Sequence, residues 1–107
     1  MIAIEQHEDV FRAIADPSRR RMLDLLATGE APAQELAAQF DMSFAAVSQH
    51  LKVLLDAGLV ARRAEGRARI YRLTPEPLHT VEQCTATYRK FWETALDRLG
   101  EYLDDAK

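Results

Sequence analysis

The sequence predicts a mainly α domain carrying one β-hairpin, and three observations predict it. Apolar residues recur at helical spacing over most of the chain. Two strand-like runs, Leu59-Val60 and Ile70-Tyr71, bracket a turn at Glu65-Gly66. After Pro75 and Pro77, the residues Leu78, Val81, Thr85, Tyr88, Trp92, Ala95, Leu99 and Tyr102 keep a 3-4 spacing, which predicts a long final helix over about 76–104.

The elements follow in order. Residues of about 5–15 place Val10, Phe11, Ile14 and Ala15 on one side of a short helix. Asp16-Pro17 opens a second helix, with Asp16 as cap and Pro17 at the first helical position. That helix buries Met22, Leu23, Leu25 and Leu26 and ends near Gly29. A third short helix over 33–40 turns Leu36, Ala37 and Phe40 inward. Asp41-Met42-Ser43 makes a tight turn and Ser43 caps a fourth helix over about 43–57, which stops at Ala57-Gly58. The hairpin occupies about 59–73. No repeat, low-complexity segment or linker interrupts the 107 residues, which are read as a single domain.

Composition is that of an ordinary globular protein, 48% hydrophobic and 29% charged, and no run reaches the length of a membrane span. The start, MIAIEQHEDV, lacks the basic and apolar segments of a secretion signal, and the single Cys84 forms no internal disulfide. A cytoplasmic location is expected. Net charge is −3, which by itself argues against a nucleic-acid partner, but the charge is segregated. Residues 43–73 hold Lys52, Arg62, Arg63, Arg67, Arg69 and Arg72 against Asp56 and Glu65, a net of +4, which leaves −7 on the rest. A local basic patch, and not the whole-chain total, is what meets phosphate.

The fourth helix, SFAAVSQHLKVLLDAGLV with its continuation, buries Val47, Leu51, Leu54 and Leu55 and turns Ala45, Ser48, Gln49, Lys52 and Asp56 outward. A solvated face usually carries more Glu, Lys and Arg. Helix, short turn, helix and then a basic two-stranded hairpin is the order of a winged helix-turn-helix, whose second helix enters the DNA major groove. In that role short side chains allow close approach, Ser48 and Gln49 supply donors and acceptors, and Ala45 can touch a thymine methyl. Lys52 and the hairpin arginines Arg62, Arg63, Arg67 and Arg69 can contact phosphates. Arg19, Arg20 and Arg21 are open to either a phosphate contact or a solvated face, and His50 is expected to bond the scaffold. The last helix has a second apolar stripe of Cys84, Phe91, Leu96 and Leu103, and this width reads as a dimer interface through Leu78, Val81, Tyr88, Trp92 and Leu99.

The stretches AIADPSRRRMLDLL, QELAAQFDMSFAAVSQHLKVLLDAGLV and RRAEGRARIYRLT resemble the ArsR/SmtB family of bacterial repressors over about residues 8–75. The resemblance implies a homodimer joined by its first and last helices, including Val10, that binds an imperfect inverted repeat near its own promoter. It places the base-contacting positions, at the start of the fourth helix with Ser43, on Phe44, Ala45, Ser48 and Gln49. Relatives often have Gln where this chain has Phe44, so either a base hydrogen bond is exchanged for an apolar contact or Phe44 packs inward.

The family's metal sites are poorly matched. The region that carries Cys-x-Cys in relatives reads PAQELAAQF, and the last-helix site, aligned on His79, places Pro77, Lys90 and Glu93 at the remaining ligand positions. Lys90 offers a charge where a lone pair is needed. His7, His50 and His79 are the only histidines, and no two lie within helical reach of each other. No metal and no cofactor is expected. Cys84 is expected to be a small buried hydrophobe. The alternative is a thiol or soft-metal sensor formed with its copy in a second chain, if their Cα atoms lie within about 7 Å. The ending FWETALDRLGEYL resembles a subgroup without metal sites, some of whose members answer to a partner protein or a small molecule, so an inducer of unspecified kind remains open. No nucleophile-base pair, paired carboxylates or phosphate-cradling loop suggests an enzyme. A winged helix used only for protein contacts is the remaining rival, and five arginines in eleven residues of the hairpin speak against it.

Overall fold

The computed structural model describes residues 8–105. Residues 5–7 of the expected first helix, with His7, lie outside them. Helix α1 is Glu8–Ile14 and α2 is Pro17–Ala27. Strand β1 is Ala31–Pro32, α3 is Ala33–Ala37 and α4 is Phe44–Asp56. Strands β2, Val60–Glu65, and β3, Ala68–Leu73, form the hairpin, and α5 runs over Leu78–Asp105.

Local chemistry sets the starts of the two long core helices. The Asp16 carboxylate accepts from the Arg19 backbone N–H at 3.0 Å, and Pro17 supplies a helical φ where no N–H is needed. The Ser43 hydroxyl does the same for α4, accepting from the Ala46 N–H at 3.0 Å. Met22 and Leu26 of α2, Leu36 of α3, and Val47, Leu51 and Leu54 of α4 then close one core with Leu59, Val60 and Tyr71. Each such side chain contributes about 1.5–3 kcal/mol on burial.

Val10 belongs to this core as well. It is 4% exposed within its own protomer, which corrects its assignment to the dimer interface: Val10 faces the same interior as Ala13. The third helix also ends earlier than expected. Tight i→i−3 bonds, Gln39 N to Leu36 O and Phe40 N to Ala37 O, both 3.1 Å, turn the chain after Ala37. Phe40 is consequently half-buried in the turn, with the Arg21 guanidinium 5.1 Å from its ring centre.

The sheet is antiparallel in the order β1-β3-β2. Strand β1 is invisible to a propensity reading because Pro32 forms half of it, and Pro is tolerated there because the strand is an edge. The hairpin loop is Gly66-Arg67, one residue later than the expected Glu65-Gly66, since Glu65 pairs with Ala68. Gly66 has φ +62° and no non-glycine residue among those described has positive φ, the arrangement of a two-residue loop with Gly first. Gly58, at φ +76°, similarly releases the chain from α4 into β2.

Helix α5 leaves the core almost at once. Leu78 and Val81 pack against it, and every residue from Glu82 to Asp105 is exposed, including Trp92 at 68% and Tyr102 at 72%. The radius of gyration is 18.2 Å, where a compact chain of this length has about 13 Å.

Replacing Asp16 with Ala removes a side-chain cap and should cost about 1 kcal/mol in urea unfolding at neutral pH. The Arg19 N–H holds the Asp16 carboxyl below its ordinary value of 3.8, so this contribution is present above that pH and lost as acid titrates the folded carboxyl. The gap between wild type and variant should therefore close as unfolding is followed down toward pH 3. A gap that did not depend on pH would contradict the cap.

Candidate nucleic-acid interface

The core residues of α4 sit on one side of the helix, so the helical period turns Phe44, Ala45, Ser48, Gln49, Lys52 and Asp56 out on the other. All six are exposed, as is the Ser43 cap, whose hydroxyl is already engaged by the Ala46 N–H. Lys52 pairs with Asp56 at 3.0 Å, an exposed i,i+4 contact that a phosphate displaces at little cost. Phe44 does not pack inward; it is 51% exposed.

Strand parity sorts the hairpin arginines into two sets. Directly paired residues of an antiparallel ladder share a face, and successive residues alternate. Arg62 pairs with Tyr71, which is buried against the core, and Arg69 lies two residues before Tyr71 on the same face. Arg62 and Arg69 accordingly join Phe44, Ser48 and Lys52 in lining the groove between the hairpin and α4. Arg67, in the loop, lines a second groove of about 240 Å³ with Phe44, Gln34 and Arg69. Arg62, Arg67 and Arg69 make no side-chain hydrogen bond or ion pair among the described residues.

Arg63 falls on the opposite face. Its guanidinium holds Glu30 with two bonds of 2.7 Å and Glu65 with a third of 3.0 Å. The Glu30 carboxyl is lowered from its ordinary value by the Arg63 hydrogen bonds, and the Arg63 guanidinium is raised in turn. Arg63 was expected beside the other arginines at a phosphate, and strand alternation puts it on the other face, where its donors pair with carboxylates. Glu30 was missed from the sequence because β1, which carries it to the hairpin, was missed. Gln34 reaches the groove for the same topological reason.

The arginines of α2 serve the scaffold. Arg19 donates from Nε to Ala13 O at 2.7 Å and from the guanidinium to Arg12 O at 3.0 Å, satisfying carbonyls at the end of α1. It also lies 3.2 Å from His50 Nδ1 on α4. An arginine only donates, so His50 accepts through Nδ1. Arg20 donates to Ile14 O at 2.8 Å.

Cys84 is exposed within the protomer rather than buried in it, a difference that follows from α5 having left the core by Val81. Among the described residues, no three His, Cys, Asp or Glu side chains gather as metal ligands would. No described helix is long and apolar enough to cross a membrane.

The family model for the bacterial regulatory protein, arsR family, matches residues 16–62, from the α2 cap into strand β2. The HTH-type transcriptional regulator Rv2034 of Mycobacterium tuberculosis is 38% identical over 94 residues, covering 88% of this chain and 85% of that protein. The chain belongs to the ArsR family. Two further proteins extend the comparison. The arsenical resistance operon repressor of Staphylococcus xylosus is 38% identical over 74 residues, 69% of this chain and 71% of the relative. The solution structure of the homodimeric winged helix-turn-helix DNA-binding domain Mb0332 from Mycobacterium bovis superposes with a TM-score of 0.67 at 28% identity, over 87% of each chain. As an ArsR-family winged helix-turn-helix protein the chain is a DNA-binding transcriptional regulator and not an enzyme.

Proposed function

We propose that this ArsR-family chain is a homodimeric repressor that binds an inverted-repeat operator, near its own promoter, through α4 and the hairpin. The observation that carries the reading is the uncovered side of α4, with Ser48 and Gln49 at its centre and the unpaired Arg62 and Arg69 beside it. The groove-entering helix supplies base recognition, and Arg62, Arg67, Arg69 and Lys52 supply the phosphate contacts that set affinity and register. Arg63 has no part in that set, because its charge is neutralised behind the hairpin.

The second copy covers α5. Tyr88, Trp92, Leu96, Leu99 and Leu103 form one wide band on a helix whose described residues are all exposed beyond Val81. A homodimeric neighbour of the same fold supports pairing of like with like. The reading includes no metal ion, acts in the cytoplasm, and leaves Cys84, at the edge of the apolar band, as the position where a thiol reagent would act. Serine at that position should abolish release by a thiol reagent if Cys84 is the sensor and leave the response untouched if it is not.

Titration against the chain's own upstream DNA at several salt concentrations tests the whole reading. Tight, sequence-selective and salt-sensitive binding is expected, and binding no better than to random DNA would refute it. Changing Gln49 to Ala should cost about 1–3 kcal/mol and relax preference at one base pair per half-site. Arg69→Ala should weaken binding to all sequences alike and reduce the salt slope by about 1 per half-site contact, whereas Arg63→Ala should leave that slope unchanged. An equal effect of the two would return Arg63 to the interface. A charge in the α5 band, Trp92→Glu, should convert the dimer to monomer in sedimentation equilibrium and abolish tight operator binding while the helical circular dichroism persists.

A further inference from the structure

Outside α5, Phe44 is the large apolar side chain that stands in solvent among the described residues. It opens α4 directly after the Ser43 cap and lines both grooves between that helix and the hairpin. The aromatic residues of α5 adjoin one another and suit an apolar partner. Phe44 is a single ring with Arg62, Arg67 and Arg69 around it. An apolar protein surface seated there would strip water from three guanidinium groups and return no counter-charge, which is costly. The matching partner must neutralise the arginines and also present one isolated apolar group at the position of the ring.

Duplex DNA meets both conditions. Its phosphates answer the arginines, and its major groove offers a single apolar feature, the C5-methyl group of thymine. We propose that Phe44 is a thymine-methyl reader, so that each operator half-site requires a thymine facing the first turn of α4. The inference rests on the docking of α4 proposed above and assigns one base within it. A phenyl ring has no donor or acceptor, so it distinguishes thymine from the other bases by the methyl alone. Ser48 and Gln49, one turn further along, read hydrogen-bonding edges at other positions.

The experiment uses duplexes enriched from a randomised library by the wild-type dimer. Each thymidine is then replaced singly by deoxyuridine, which removes the methyl and keeps the pairing edge and both grooves' donors and acceptors. One thymine per half-site is expected to weaken binding about four-fold on replacement, and replacement in both half-sites about fifteen-fold. Phe44→Ala should bind the thymine and uracil forms of that duplex equally, and Phe44→Leu should retain part of the discrimination. The wild-type scan uses no variant, so it decides the matter even if Phe44→Ala folds poorly. Wild type binding every uracil duplex as tightly as its parent would overturn the proposal. Discrimination that survived in Phe44→Ala would overturn it too, and move the methyl contact to Ala45. If no sequence were enriched at all, the docking of α4 would fall along with it.

Discussion

The rotation of α4 about its own axis is the constraint on which the rest depends. Val47, Leu51 and Leu54 are fully buried, and a helix that seats three such residues in a close-packed core has no freedom to roll. Rolling by one residue, about 100°, would lift a Leu into water and press Ser48 or Gln49 into the interior, with loss on both counts. Arg19 adds a polar stop on the flank of the same helix, through His50 Nδ1, while its other donors hold the end of α1. The exposed side of α4 is therefore defined by the core, although no core residue belongs to it.

This dependence explains what could be read from the sequence. Helical periodicity alone separated the two sides of α4, and the caps Asp16 and Ser43 marked its start and that of α2, because both signals are local. The hairpin was legible as a hairpin, and its register was not. Moving the turn from Glu65-Gly66 to Gly66-Arg67 shifts the pairing by two residues, which changes every cross-strand partner and keeps the alternation of faces. Arg62 and Arg63 fall on opposite faces in either register, and which face turns toward α4 is set by the burial of Tyr71 in the core, a long-range contact. The partner that neutralises Arg63, Glu30, lies 33 residues away beside a two-residue strand containing Pro32, a contact with no local signature. Val10 was misplaced for a related reason: an apolar position on a short helix announces burial, and nothing in one sequence says in which molecule.

The last helix shows the same ambiguity resolved in the other direction. Its apolar band spans the whole length of α5, yet only Leu78 and Val81 find the core. Among the described residues no further element covers the remainder, and an exposed surface of that kind favours association. Most helical stability in proteins comes from packing of an amphipathic face, so in the proposed dimer the distal turns of α5 gain order from the partner helix. In the proposed dimer, association would serve the fold as well as DNA recognition, since two copies of α4 can address two half-sites only when held at a set separation.

The distribution of charge then restricts how such a dimer meets DNA. The residues outside 43–73 carry a net −7, and acids dominate the distal part of α5 with Glu93, Asp97, Glu101, Asp104 and Asp105. Polyanionic DNA is repelled from those surfaces at distances up to a Debye length, about 8 Å at physiological salt. In the docking proposed above it is drawn to the groove lined by Arg62, Arg67 and Arg69. The pairing of Arg63 with Glu30 and Glu65 sharpens this contrast, because it cancels positive charge on the back of the hairpin while leaving the front unpaired. Overall acidity and DNA binding are therefore compatible: in the proposed docking the excess acid disfavours the wrong orientations, and the unpaired arginines next to α4 select the right one.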